Sequence, residues 1–334
     1  MAYDANVLHR AVERLEAQRR ARTDQAERLR AEVYAKEPKL ARLDREMQGT
    51  MSQLVAAALR KGEDPAQAVR SIRAHNLDLQ RQREVLLGAQ GLPGDALDDK
   101  PACPLCRDTG WQGAKMCRCL RDLCTQEQIK ELSKLLDLGE QSFDAFRLDY
   151  YSQTPWPSMG TSPRANMELV YEVCLNYAEK FGRFYFKNLF LSGAPGLGKT
   201  VLSACIARTV SEHGFSVVYD TAGNVFAQFE ARKFQRDGDN AREARDETRR
   251  YLNCDLLILD DLGSELTTQF TQSALYELLN TRLVGEKCTV ISSNLTLEDV
   301  SRRYAPQIAS RLEGEYHVLR FFGDDIRLLK KNKL

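Results

Sequence analysis

Eight residues in the second half of the chain, Gly193-Ala194-Pro195-Gly196-Leu197-Gly198-Lys199-Thr200, keep the spacing G-x-x-x-x-G-K-[ST]. Glycines at these places let backbone N–H groups from Gly193 through Val201 curl around phosphate oxygens, and the helix expected to start there adds partial positive charge. Lys199 would reach the β and γ phosphates of ATP, and Thr200 would ligand Mg²⁺. A second stretch, Leu256-Leu257-Ile258-Leu259-Asp260-Asp261, is an apolar run ending in two carboxylates. Such a strand delivers its acids to the carboxyl edge of an open α/β sheet, where Asp260 would hold Mg²⁺ through water and Asp261 would polarise the attacking water. After the next apolar run comes Ser292-Ser293-Asn294, whose amide could orient that water. Arg311 and Arg327 follow in the last stretch, where arginines most often serve as surface residues or structural ion pairs.

A different chemistry is written between residues 103 and 119. Cys103-x-x-Cys106, ten further residues and Cys117-x-Cys119 supply four thiolates, and a C-x-x-C turn places two sulfurs on one edge of a tetrahedron. The stretch Asp108-Thr109-Gly110 and Gly113 provide the turns that return the second pair. One structural Zn²⁺, plain reduced thiols and a redox pair all fit this spacing. The C-x-C pair is tighter than the usual C-x-x-C, so Cys124 stands as a spare ligand. A segment of about twenty residues cannot bury enough core to fold unaided, which gives a metal a clear task. The other cysteines of the nine, Cys174, Cys205, Cys254 and Cys288, lie singly, which suits reduced thiols better than a disulfide framework.

These residues need elements to hold them. NLFLSGA, SVVYDTA, LLILDDLG, KCTVISSN and YHVLRFF are short apolar runs separated by helical segments, and this alternation predicts an α/β domain, a parallel sheet between helices, over residues 136–334. Residues 1–90 read as an all-α arm. Leu8, Val12, Leu15, Leu29, Val33, Leu40, Leu43, Met47 and Leu54 form one apolar stripe, either packing on the bundle itself or offered to a partner as a coiled coil or hairpin. Asp64 is placed to cap the helix that Pro65 opens. GAQGLPGDALDDKPA, residues 88–102, reads as a linker, so residues 91–130 are expected to hold linker and cysteine segment together.

The totals suit two or three domains: 334 residues, 43% hydrophobic and 28% charged. No apolar run reaches the ~18 residues of a membrane span, and MAYDANVLHR lacks a signal-peptide core, which places the chain in the cytoplasm. A net charge of +1 does not decide about nucleic acid, because it can hide a basic groove. Between the second and third strands, Arg232, Lys233, Arg236, Arg242, Arg245, Arg249 and Arg250 alternate with acids. This segment is either a solvated helix face or a track for single-stranded DNA. Phe229 and Phe234 within it could pack in the core or stack on bases.

The order of these pieces resembles the AAA+ ATPases, and more narrowly the bacterial helicase loaders of the DnaC/DnaI type, with the related IstB-like transposition helpers. SFDAFRLDYY, LFLSGAPGLGKT, LLILDDLG, TVISSN, IASRLEG and FFGDDIR carry the resemblance over roughly residues 140–334. AEVYAKEPKLARLDREM, CPLCRDTGW and CRCL are similar to the longer loaders of Firmicutes and their phages. The resemblance implies a sensor role for Asn294, an arginine finger reaching a neighbouring subunit's ATP for Arg311, and a second sensor for Arg327. It implies self-assembly, a hexameric replicative DNA helicase as partner, single-stranded DNA, and slow, switch-like ATP hydrolysis, since Asp261 stands where most AAA+ members have Glu. Two other readings stay open: a transposition helper that grips a transposase and bends duplex DNA, and a P-loop ATPase acting on an unrelated protein.

Overall fold

The protein is described by a computed structural model over residues 3–59, 65–136, 142–234 and 239–331. Asp64 and Arg236 lie outside these residues, as do the side chains of Leu54 and Arg242. The chain forms two compact units, one of Glu13–Cys119 and the other of Met1–Val12 with Leu120–Leu334. Among the described residues no helix is long and apolar enough to cross a membrane.

In the larger unit, β3 (Leu189–Gly193), β4 (Val217–Thr221), β5 (Leu256–Leu262), β6 (Cys288–Ser293) and β7 (His317–Phe321) form one sheet of order β4-β5-β6-β3-β7, all parallel. All five strands expected from the sequence are present. Their side chains divide between two cores with the strand period of two. Leu189, Leu191, Val217, Tyr219, Leu256, Ile258 and Val290 face one core with α5 (Pro163–Glu179) and α6 (Lys199–Glu212). Phe190, Val218, Leu257, Leu259 and Ile291 face the other with α7 (Ala222–Phe234), α8 (Asp239–Asn253), α9 (Gln269–Val284), α10 (Leu297–Arg303) and α11 (Pro306–Glu315). A strand apolar on both faces can lie only in the middle of such a sandwich, which is why these runs showed no alternation.

Helix entries follow their capping residues. Ser162 accepts from the Ala165 N–H ahead of Pro163, and Thr268 and Thr296 each form a reciprocal cap with the residue three positions on. Inside the unit Arg282 of α9 is completely buried. Its guanidinium donates to the carbonyls of Tyr251, Cys254 and Cys288 and to Thr289 Oγ1, at 2.5 to 3.2 Å. This one side chain ties α9 and α8 to the strand β6.

The first residues of the chain belong to this unit, although the arm was expected to begin there. Tyr3 donates to the Gly214 carbonyl at 2.8 Å, Val7 and Ala11 are buried, and Arg10 pairs with Glu131 at 3.0 Å. The apolar stripe supplied by Leu8 and Val12 is only half-buried there, because the docked face turns on Val7 and Ala11.

The smaller unit holds most of α1 (Ala5–Lys36), with α2 (Pro38–Leu59), α3 (Pro65–Ala89) and a two-stranded hairpin of β1 (Trp111–Gln112) and β2 (Lys115–Met116). Val33, Leu40, Leu87 and Leu97 form its apolar core. The stretch expected as a linker is tied down: Arg30 donates to the Leu97 carbonyl, and the buried Arg83 joins Asp44, Asp98 and the Gly94 carbonyl. Leu97 is 3% exposed, so an apolar residue at the centre of a Gly-, Pro- and Asp-rich run anchors it.

Replacing Arg282 by Met keeps the volume but leaves buried carbonyls without donors. We expect a loss of about 3 kcal/mol, read as a fall of roughly 5–10 °C in Tm. A variant that melts with the parent would show that water replaces the guanidinium.

Candidate functional site

The sheet order decides which residues meet. β6 lies between β3 and β5, so their carboxyl ends bring the phosphate-type loop, the acid pair and Asn294 to one edge. Gly193 ends β3, and Gly198, with φ +90°, precedes the first turn of α6. Each loop glycine meets a neighbour that a side chain would displace. A β-carbon on Gly193 would strike the Phe321 carbonyl of β7, one on Gly196 (φ +79°) the Asp325 carboxylate, and one on Gly198 the Tyr151 hydroxyl. The loop is also held from outside: Tyr151 donates to the Leu197 carbonyl at 3.0 Å, and the Ile326 N–H, opening α12 (Ile326–Lys331), donates to the Gly196 carbonyl at 3.1 Å.

Lys199 is 9% exposed and folds onto its own loop, donating to the carbonyls of Gly193 and Ala194 at 2.7 and 2.8 Å. Burial pushes its ammonium below the usual value, against the pull of Asp260 and Asp261, and the positive charge of Arg327 pushes the same way. Thr200 stands exposed beside Lys199.

Asp260 and Asp261 are neighbours in sequence and part company in space. The β5–β6 register breaks between Leu259 and Leu262, and Asp261 takes φ +59°, a left-handed conformation that is unfavourable for a residue with a side chain. Asp260 is thereby left inside, 6% exposed, with Tyr219 and Ser292 donating to its two carboxylate oxygens. Asp261 emerges into solvent, and its N–H donates to Ser292 Oγ at 3.1 Å. Asn294 is exposed next to Gly263, where a β-carbon would come within 2.8 Å of its Oδ1. The Ser192 hydroxyl donates to the Leu295 carbonyl at 2.7 Å, joining the strand before the loop to the turn that carries the amide.

Arg311 is placed elsewhere. Its guanidinium stacks over Tyr276, 4.9 Å from the ring centroid, and donates to that hydroxyl at 3.0 Å. It lines an open cavity of about 720 Å³ whose other walls include Phe186 and Asn188 before β3, Glu286 and Lys287 before β6, and Tyr316 before β7. That is the amino end of the sheet. The fold therefore does not bring Arg311 to the loop of its own chain.

These features agree with the relatives of the chain. Residues 183–333 match the profile of the IstB-like ATP binding proteins. Over these residues the chain is similar to the IstB-like ATP binding proteins. The chain is 31% identical over 149 residues to the chromosomal replication initiator protein DnaA of Aquifex aeolicus (strain VF5), covering 44% of this chain and 35% of that protein. It is 22% identical over 136 residues to the replicative helicase loader DnaC of Escherichia coli (strain K12), covering 41% and 54%. The chain thus spans about a third to a half of the length of the curated relatives it matches. A crystal structure of the DnaC helicase loader superimposes with a TM-score of 0.44 at 18% identity, over 56% of this chain and 99% of that one.

The larger unit carries features that no motif names. Tyr219 and Ser292 touch the buried acid, which only the strand order reveals, and Tyr151, from the segment before α5, touches the loop. For the charged segment the structure separates two aromatic rings. Phe229 is buried, whereas Phe234 is 64% exposed, 5.9 Å from the ring of Phe270, with Lys233 lying over both. Arg250 is withdrawn among Asp4, Glu131 and Glu247, and Arg232 pairs with Glu277.

In the smaller unit the four expected cysteines converge. The sulfurs of Cys103, Cys106, Cys117 and Cys119 all lie within 4.8 Å of one another, with Cys103–Cys117 at 3.7 Å and Cys106–Cys119 at 3.4 Å. Thiolates about 2.3 Å from a tetrahedral zinc stand about 3.8 Å apart, so the donor set and spacing fit that ion. Arg107, Asp108, Gly110 and Gly113 take positive φ, which curls the chain tightly enough to bring the pairs together. The Asp108 carboxylate accepts the Ala102 and Cys103 N–H groups and an Arg22 N–H at 2.6 Å. Burial opposes ionisation of Cys106, but donors from Cys119, the Gly110 backbone, Cys103 and Cys117 outweigh it and bring its thiol down to about 7. Cys124 lies outside the cluster, its thiol pushed up to about 11 by burial.

Protein purified without chelator should carry about one zinc per chain. Cys106→Ser should lose it and Cys124→Ser should keep it. Elemental analysis well below one equivalent in folded wild-type protein would refute a zinc site.

Proposed function

We propose that the protein is an ATP-dependent switch that binds the replicative DNA helicase and helps place it on single-stranded DNA. The observation that carries the ATP half is the meeting, at one sheet edge, of the loop, the acid pair and Asn294 in a domain similar to the IstB-like ATP binding proteins. The helicase half is supported by relatives named replicative helicase loader and chromosomal replication initiator, and by a helical unit with a four-cysteine cluster ahead of the ATPase.

In this reading Lys199 leaves the carbonyls of Gly193 and Ala194 when phosphate oxygens offer it a stronger partner. The N–H groups from Gly193 to Val201 cradle the phosphates. Thr200 and Asp260 would hold Mg²⁺, which when bound would supply positive charge against the phosphates. Asp261 polarises the attacking water and Asn294 orients it. Asp261 is one methylene shorter than Glu and holds that water less well, so hydrolysis is slow, as befits a switch. Arg327 senses the nucleotide from α12. Arg311, at the other end of its own sheet, acts on ATP only in a neighbouring subunit, which requires self-assembly. Single-stranded DNA would follow the exposed basic face near Lys233 and Phe234, held through its phosphates and by stacking.

The IstB-like match also fits a second reading, a transposition helper acting with a transposase on duplex DNA. The two readings are separated by capture of the full chain on immobilised replicative helicase, with and without ATP. Capture supports the loader, while absence of capture together with bending of duplex DNA supports the helper.

Lys199→Ala should abolish ATP binding, and normal affinity would remove Lys199 from the site. Arg311→Ala should bind ATP as a single subunit yet lose hydrolysis in the assembly. Unchanged turnover would remove Arg311 from the reaction.

A further inference from the structure

The acid pair is held by hydroxyls that no motif names. Asp260 accepts from Tyr219 on one carboxylate oxygen and from Ser292 on the other, and both bonds are buried. Tyr219 is 5% exposed and Ser292 1%, so neither hydroxyl has water as an alternative partner. They come from the strands on either side of β5. β4 pairs with β5 through Tyr219↔Ile258 and Thr221↔Asp260, and β6 lies along the other side of β5 up to the bulge at the acids. Ser292 has a second task, since its Oγ accepts the Asp261 N–H at 3.1 Å while its own proton goes to Asp260. One hydroxyl thus joins the buried acid to the backbone of the exposed one.

We propose that Tyr219 and Ser292 are positioning residues for the magnesium nucleotide, acting as a two-sided clamp on Asp260; this rests on the ATP-binding reading of the site. A carboxylate oxygen has two lone pairs, so each hydroxyl bond leaves one free for a metal-bound water. With both oxygens fixed from opposite sides, the carboxylate plane cannot rotate, and its free lone pairs point one way. This is how outer partners tune a metal site without touching the ion. Ser292 further sets the left-handed turn at Asp261, because its bond to that N–H holds the bulge that separates the two acids.

The test is nucleotide affinity of the full chain with Mg²⁺ and with EDTA, measured by a fluorescent ATP analogue and titrated over Mg²⁺ concentration. Tyr219→Phe and Ser292→Ala should each raise the Mg²⁺ concentration at half-effect by about tenfold or more. Affinity in EDTA should stay within about twofold of the parent. Ser292→Thr, which keeps the hydroxyl, should restore the parent titration. If metal-free and metal-loaded affinities fall together, the two residues only support the fold and the clamp is overturned. It is equally overturned if both variants titrate as the parent does. If the parent binds nucleotide with no response to Mg²⁺, the metal reading of Asp260 fails and takes the clamp with it. If the parent binds no nucleotide, the ATP-binding reading itself fails.

Discussion

The placement of β6 between the loop-bearing β3 and the acid-bearing β5 governs the site. Parallel strands deliver all their carboxyl ends to one edge, and strand order alone decides which ends are neighbours. With β6 in the middle, its last residues bond to both sides. Ser292 reaches the acids, Ser293 donates to the Leu262 carbonyl beyond them, and the turn at Leu295 accepts from Ser192 just before the loop. A substitution in the polar end of this strand therefore disturbs loop and acids together, although it touches no phosphate.

The two ends of the sheet do different work. At the carboxyl end the loop backbone runs so close to Phe321, Asp325 and Tyr151 that only glycine fits. At the amino end a buried arginine fastens α9 to β6, and the chain's first residues dock in the same unit through Tyr3, which bonds to the Gly214 carbonyl, and the buried Val7 and Ala11 of α1. Asp4 of that segment pairs with Arg250 of α8, which also meets Glu131 of α4 (Arg118–Leu136). Helix α8 carries the charged segment's second half, so the chain's first residues help to hold Arg250 of that half within a cluster of acids.

Much of this was legible in the sequence, and the losses have physical reasons. β3, β5 and β6 stood out because a strand buried on both faces is a continuous apolar run, and the loop because its glycine spacing is fixed by close backbone approach. The four cysteines declared themselves by spacing, as did the turns at Asp108 and Gly110. Tyr219 and Ser292 did not, since their roles depend on which strands lie side by side, and that is set by connections between distant segments. Docking of residues 3–11 was hidden for a similar reason: Leu8 and Val12 mark one helical stripe, but the partner surface selected Val7 and Ala11. The pinned run at 88–102 misled because its composition is that of a linker, while a single Leu97 and the carbonyls of Gly94 and Leu97 fix it.

The cysteine hairpin shows what such a segment needs in order to hold its shape. Its larger apolar residues turn outward, Leu105 at 67% and Trp111 at 40% exposed, and β1 and β2 have only two residues each. Four residues with positive φ must be kept in place, two of them carrying side chains, which costs conformational energy with no apolar core to offset it. Asp108 recovers part of that by accepting two N–H groups and the Arg22 guanidinium. The rest has to come from the sulfurs at the centre. Protonated thiols are weak hydrogen-bond partners, whereas thiolates on a single divalent ion bind strongly enough for metal binding itself to drive folding. The geometry of the hairpin is thus that of a segment whose centre is its four sulfurs.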